Sequence, residues 1–326
     1  MMAAYNTTDN YHLRWTGAET MFLGLYCTLV TVLGILGNST VIYSSIRYNS
    51  IKLDRISLLF VQHLAVADIL TVIIVVIPIS TTFIAGKYVL GSGYCFLSAH
   101  FVFYPGAVNS LVVLSISAYR ARMITSPLTS VSKTTALMLI AVIWVVGCVG
   151  TVISLAFGSS AVFDPVSVAC TSDIYTVGGV ATLCFSVLVG IIVFLPLLAV
   201  TILNSVQIVI AFKNASRYDQ FPNFWGLVTV CSLSGLYLIS WVPFIVYTVF
   251  QSIGLPSHPV LRLMAFYCNF LNTFGNPILY TFTNRRFGKY VKGLICSVLC
   301  CRFANKSGSR GRNNFKMTRS SQPADT

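Results

Sequence analysis

Seven stretches of this chain contain no Lys, Arg or Glu and, with one exception, no Asp: residues 20–46, 56–86, 88–119, 134–163, 174–212, 220–261 and 263–284. Each can supply the roughly 20 consecutive apolar residues that a helix needs to cross a bilayer. The exception is Asp68, inside the second stretch. Charged residues make up 9% of the 326 residues, too few to cover the surface of a soluble fold, where about 25% is usual. The apolar residues run continuously and do not form the alternating segments of about ten residues that mark a transmembrane barrel. The chain therefore reads as an all-α membrane protein, a seven-transmembrane helix bundle. The stretch 220–261 spends its end on the turn-forming "GLPSHP" at 254–259, so it holds one span.

Basic residues set the expected orientation. With residues 1–20 outside, the outer side receives Arg14, Lys87 and Arg262, and the inner side the other 18 of the 21 Lys and Arg. The pattern predicts a plasma-membrane, multi-pass chain with its C-terminus in the cytoplasm. The net charge of +13 is then explained by inside retention and an anionic leaflet, and no nucleic-acid partner is implied. No cleavable signal peptide is expected, since residues 1–20 are polar and the first apolar run is too long for a signal core. The expected organisation is an extracellular tail (1–20), the seven-span bundle (21–283), a short amphipathic helix on the membrane surface (284–301) and a disordered cytoplasmic tail (302–326). Asn6, in "NTT", is a glycosylation acceptor on the outer side. Cys95 and Cys170 fall near outer helix ends, where a disulfide persists. Cys296, Cys300 and Cys301 lie beside the inner surface, and Cys300 and Cys301 are the expected palmitoylation sites.

An ionisable group at mid-membrane is costly and is a functional candidate by default. Asp68 is such a group, as a buried cation or proton site or as a structural hydrogen-bond hub. Asn38, Asn109, Asn272 and Asn276 are deep polar residues whose carbonyls suit a hard cation, with Asp68 supplying the charge. Prolines at 78, 105, 196, 243 and 277 predict kinks. Four histidines without metal-ligand spacing, and no nucleotide-binding loop, argue against an enzyme. His63 and His100 read as packing or interfacial residues.

Several fragments occur together in the right order: Gly37–Asn38, "LAVAD" ending at Asp68, Cys95, "SAYRARMITSPL" with Arg120, Trp144 and Cys170. They continue with "FLP" at Pro196, "SWVP" with Trp241 and Pro243, "NPILY" at 276–280 and "RRF". Over roughly residues 21–301 the chain resembles the rhodopsin-like (class A) G-protein-coupled receptors. The resemblance implies a Cys95–Cys170 disulfide and a sodium-sensitive cavity lined by Asp68, Asn38, Asn109, Asn272, Asn276 and Trp241. It implies a G-protein switch built from Tyr119, Arg120, Asn276, Pro277 and Tyr280. Its implied partners are an extracellular ligand, a heterotrimeric G protein, arrestin, a receptor kinase and membrane lipids. The departures are Tyr119 for the family's usual acid, Tyr237 for Phe, Asn204 for Tyr, His63 for Asn and Asn109 for Ser.

Val102 stands where amine receptors of this family carry an Asp, and Phe270 where opsins carry the retinal-binding Lys. The chain is therefore not expected to be a typical amine receptor or an opsin, and no cofactor is implied beyond an allosteric sodium ion. The expected ligand pocket is Val102, Phe103, Phe185, Trp241, Phe244, Tyr247, Arg262, Phe266 and Phe270, with Arg262 as the cation able to anchor an acid. Lipid-like, carboxylate or short peptide ligands fit such a pocket. The rival readings are a seven-helix scaffold or decoy receptor without G-protein signalling, and a transporter or channel. The repeated halves or pore-lining polar stripes expected of a transporter or channel are not evident in the sequence.

Overall fold

The computed structural model describes Trp15 and residues 17–47, 55–125, 131–157, 160–172, 184, 187–188, 190–218, 224–253, 255, 258–283 and 287–293. Helices fill the charge-free stretches because a backbone in hydrocarbon must satisfy its N–H and C=O groups within its own segment. The first span is Ala18–Arg47. The second runs Arg55–Thr71, widens into a π-helical turn at Val72–Val76 and resumes as Ile77–Ala85. The third comprises Gly91–Phe101 and Phe103–Thr125, joined through the Val102 N–H bonded to the Ser98 carbonyl. The fourth is Lys133–Phe157. The fifth has a π-helical turn at Gly190–Phe194 followed by Leu195–Tyr218, and the sixth is Phe224–Ser252. These six are long and apolar enough to cross a membrane. The seventh is divided into Pro259–Tyr267 and Phe270–Thr283. Together they form a seven-helix bundle.

Three local findings refine the sequence expectation. Pro78 and Pro196 each follow a π-helical turn, so the turn before the ring is widened where a proline lacks its N–H and crowds the preceding carbonyls. One carbonyl of the first π turn, Ile73 O, accepts from the Tyr94 hydroxyl of the third span at 3.1 Å. The seventh helix begins at Pro259, before Arg262, with the His258 ring nitrogen Nδ1 accepting from the Val260 N–H at 3.3 Å. Its break at Cys268–Asn269 is closed by Asn269, whose amide donates to Ala265 O at 2.6 Å, the carbonyl one turn earlier. An all-helical chain was expected, yet a two-stranded hairpin, β1 (Ala161–Asp164) and β2 (Ala169–Ser172), follows the fourth span. Strand pairing satisfies this backbone where the helix has ended.

Small residues let the first span approach its neighbours. A Cβ on Gly37 would stand 2.9 Å from Pro277 of the seventh span, and one on Gly34 2.8 Å from Val72. The centre of the bundle is one cluster around Phe60, Leu64, Val108, Val112, Tyr237 and Trp241. A second cluster joins the hairpin ends of the first three spans to Phe163 and Cys170 of the hairpin. Met21, Phe22, Leu25 and Leu36 remain exposed on the first span, as an apolar solvent permits. Residues 287–293 are helical within the expected 284–301 surface helix. Asn6, Cys296, Cys300, Cys301 and the tail 302–326 lie outside the described residues.

The Cys95–Cys170 bond ties β2 to the start of the third span. Removing such a bond typically costs about 2–4 kcal/mol. Cys95→Ala is expected to lower the melting temperature of the purified protein and to prevent its delivery to the cell surface. Full delivery with an unchanged melting temperature would show that the bond is dispensable.

Candidate functional site

A cavity of about 540 Å³ opens between the spans beneath the hairpin. All eight described residues of the expected ligand pocket line it: Val102 and Phe103 from the third span, Trp241, Phe244 and Tyr247 from the sixth, and Arg262, Phe266 and Phe270 from the seventh. Phe185 lies outside the described residues. Trp241 packs edge-on against Phe244, ring centroids 5.6 Å apart. It also lies over Gly106 of the third span, where a Cβ would come within 3.3 Å of the indole ring. That glycine is what lets the ring lie so close to the third helix.

Sequence reasoning missed the roof. Val162, Phe163, Asp164 and Pro165, with Cys170, Thr171 and Ser172, come from the hairpin and line the cavity. Asp164 organises the connecting turn by accepting from Val166 N–H at 3.1 Å, Ser167 N–H at 3.2 Å and the Ser167 hydroxyl at 2.7 Å. The available signal was "DPVS" at 164–167, since Asp before Pro favours a turn closed by its own side chain. Arg262 has a partner that the sequence did not announce. Its Nη1 is paired with Asp164 Oδ1 at 3.3 Å, while its Nε is buried without a hydrogen-bond partner. Two charges distant in sequence came together because the disulfide brings the hairpin back over the bundle.

Asp68 lies at the bottom of the cavity, 1% exposed. Asn109 Nδ2 donates to Asp68 Oδ1 at 2.8 Å, and Asn276 Nδ2 donates to Oδ2 at 3.0 Å. The carboxylate thus joins the second, third and seventh spans. Asn109 Oδ1 is buried without a hydrogen-bond partner beside this carboxylate, and Asn272 and Trp241 line the same cavity. Asn38 departs from the expected grouping: its amide donates to Gly34 O at 2.9 Å and to Thr273 O at 2.7 Å, tying the first span to the seventh.

At the opposite end from the hairpin, no described carboxylate pairs with Arg120. Tyr119 is buried against Phe60 of the second span, ring centroids 6.5 Å apart. Tyr280 is buried among Val41, Ala65 and Leu233, and Pro277 lies inside the seventh helix. Asp219, the acid nearest in sequence to the start of the sixth span, lies outside the described residues.

This arrangement has known counterparts. The profile of the 7 transmembrane receptor (rhodopsin family) matches residues 37–280. The chain belongs to this family. It is 26% identical over 332 residues to a GQ-coupled rhodopsin of Mizuhopecten yessoensis, a match covering 89% of this chain and 64% of that protein. It is 24% identical over 289 residues to the histamine H2 receptor of Homo sapiens, covering 81% of this chain and 77% of that receptor. A crystal structure of squid rhodopsin shares the fold with a TM-score of 0.74 at 18% identity, covering 91% of this chain and 93% of the other.

The receptor also has polar links that its sequence did not announce. His63 Nδ1 accepts from Trp144 Nε1 at 3.0 Å, and His100 Nδ1 lies 2.7 Å from the Ser154 hydroxyl, each joining the fourth span to a neighbour. A buried cluster joins the third, fifth and sixth spans. Gln207 donates to Ser117 O at 3.1 Å and to Asn204 Oδ1 at 3.3 Å, and Asn204 Nδ2 donates to the Ser234 hydroxyl. The spacing of Asn204 and Gln207 puts both on one helix face. It was the usable signal, but a single chain cannot say which neighbour that face meets.

Each of these bonds contributes about 1 kcal/mol net. Gln207→Leu is expected to lengthen the spin-label distances between the Arg120 ends of the third and sixth spans. Ser205→Ala, whose hydroxyl bonds only its own helix at Thr201 O, should leave them unchanged. Identical distributions for Gln207→Leu and the wild type would remove the cluster from the restraint on these helices.

Proposed function

We propose that the protein is a plasma-membrane receptor, hairpin end outside, that converts occupancy of the roofed cavity into activation of a heterotrimeric G protein. The observation carrying this reading is the stacking of three layers on shared helices. The cavity ends on Trp241, the Asp68–Asn109–Asn276 cluster lies at its base, and Arg120 and Tyr280 stand at the far end of the same third and seventh spans. A ligand that binds one packing of these helices better than another shifts the population between them, and Arg120 is the group positioned to meet a cytoplasmic partner. The relatives' names speak of a rhodopsin and of histamine. This chain carries Phe270 and Val102 at the two positions that would hold retinal and an amine, so its ligand is of another kind. Arrestin and a receptor kinase are further cytoplasmic partners on the same reading.

Nucleotide exchange on a panel of G proteins, screened against a compound library, tests the proposal. Exchange that no compound and no G protein elicits would leave a scaffold or decoy receptor as the better account.

The missing acid before Arg120 defines a second measurement. A carboxylate at 119 would offer the guanidinium a charge-assisted bond that tyrosine cannot supply. Restoring a restraint of about 1 kcal/mol changes a two-state population about fivefold. Tyr119→Asp is expected to reduce ligand-free exchange by about that factor, while Tyr119→Phe, which keeps the ring on Phe60, stays near wild type. A silent wild type unmoved by either substitution would show that position 119 does not set the switch.

The residues at the cavity base fit a sodium ion: Asp68 supplies the charge and the unpartnered Asn109 Oδ1 a carbonyl ligand. A bound cation would neutralise the buried carboxylate and favour the packing in which the second, third and seventh spans converge on it. Raising sodium is then expected to weaken agonist binding, and Asp68→Asn to abolish that dependence. A sodium response of equal size in the Asp68→Asn receptor would place the ion elsewhere.

A further inference from the structure

We infer that the cavity accepts an uncharged, predominantly apolar ligand, and that Arg262 is the latch of its roof and not an anchor for an acid. This deepens the receptor reading by naming the ligand class, and it rests on that reading only for what occupancy does.

Three charged residues line the cavity, Arg262, Asp164 and Asp68, and each already has a partner. Arg262 is paired with Asp164 in the roof, and Asp68 has each oxygen held by an asparagine amide. Arg262 meets Asp164 through Nη1, while its Nε is buried without a hydrogen-bond partner. An anionic ligand that reached it would lie beside the Asp164 carboxylate and be repelled, whereas an uncharged acceptor would not. A cationic ligand would have to reach Asp68 at the base of the cavity, the place proposed for a sodium ion, and compete with that ion there. Bringing like charges together in a poorly solvated space is a cost that an uncharged ligand avoids. The walls agree: Val102, Phe103, Phe163, Phe244, Phe266 and Phe270 present carbon to the space. Its volume of about 540 Å³ is that of a site for one small organic molecule.

The roof is fastened from several sides, and the ion pair is one of the fastenings. The disulfide ties β2 to the third span. Tyr267 of the seventh span donates its hydroxyl to Ser167 O at 3.3 Å, and Trp15 Nε1 donates to Val166 O at 2.7 Å. Phe163 packs against Tyr88, ring centroids 5.2 Å apart. The turn also holds Val168 at φ 55°, a left-handed conformation rarely adopted by a β-branched residue. Such a turn persists when its surroundings over-determine it. Arg262 therefore has a structural partner to lose when it turns toward a ligand.

The test uses the full chain in lipid nanodiscs and three photoreactive probes of one alkyl skeleton, ending in an alcohol, a sulfonate or a quaternary ammonium. Each carries the same diazirine, and adducts are mapped by mass spectrometry. Lipid-facing Phe194 and Phe282, both exposed, provide the internal reference that every probe should label. The alcohol is expected to label the peptides carrying Phe103 and Phe266 about tenfold more than either charged probe, relative to that reference, the ratio equivalent to about 1.4 kcal/mol. Excess unlabelled alcohol should abolish these adducts and spare those at Phe282. Equal or stronger cavity labelling by the sulfonate or the ammonium overturns the inference, as does labelling confined to the lipid-facing surface for all three. Asp164→Asn removes the charge that compensates Arg262 and should raise sulfonate labelling of the cavity toward that of the alcohol. An unchanged ratio in a variant that melts as a folded protein overturns the latch, and the three-way comparison on wild type needs no variant. Labelling reads occupancy alone, so a chain that labels as expected yet activates no G protein defeats the receptor reading and leaves this one standing.

Discussion

A polar group in hydrocarbon has no water to fall back on, so each must find its partner inside the protein. The architecture follows from that demand. Backbone groups are satisfied by helices, and before Pro78 and Pro196 the helix widens into a π turn. The side chains obey the same demand across helices. Asn38 reaches carbonyls on its own span and on the seventh, Gln207 reaches a carbonyl on the third, and Asp68 collects amides from the third and seventh. These few bonds fix which helix faces meet, a choice that apolar packing between helices in a lipid solvent leaves weakly specified.

The same demand explains why chemistry is concentrated on one line through the bundle. A charge is tolerated in mid-membrane only where other residues enclose it, so Asp68 sits at the convergence of three spans and at the base of the cavity. Trp241 lies in the cavity wall, backed by the glycine at 106 and packed on Phe244. Occupancy of the cavity therefore bears on residues that also determine how the third, sixth and seventh spans pack. In the proposed receptor this is the route by which a ligand under the hairpin biases Arg120 at the other end.

The pocket residues were legible because they follow from family motifs on helices of known period: Trp241, Phe244 and Tyr247 recur at three-residue spacing, and Phe266 and Phe270 at four. Arg262 was legible as a residue but not its pairing, since the partner lies 98 positions away in a hairpin that the charge-free runs do not reveal. Asn38 was placed with Asp68 on its depth in the span and on motif, and its amide instead bonds the Gly34 and Thr273 carbonyls. The polar cluster at Ser117, Asn204, Gln207 and Ser234 was visible as isolated polar residues, without any sign of which ones face each other.

What the sequence determined by itself was the solvent, the number of spans and the identity of the buried acid, because charge-free length and the cost of a mid-membrane carboxylate are properties read along one chain. Only the tertiary structure decided that Arg262 meets Asp164, that a hairpin roofs the cavity, and that Asn38, Asn109 and Asn276 divide between two carbonyls and a carboxylate. Each of those depends on the direction in which a side chain points across a gap of a few ångströms between helices. A one-residue rotation of a helix changes that direction by about 100° while leaving composition, hydropathy and periodicity as they were.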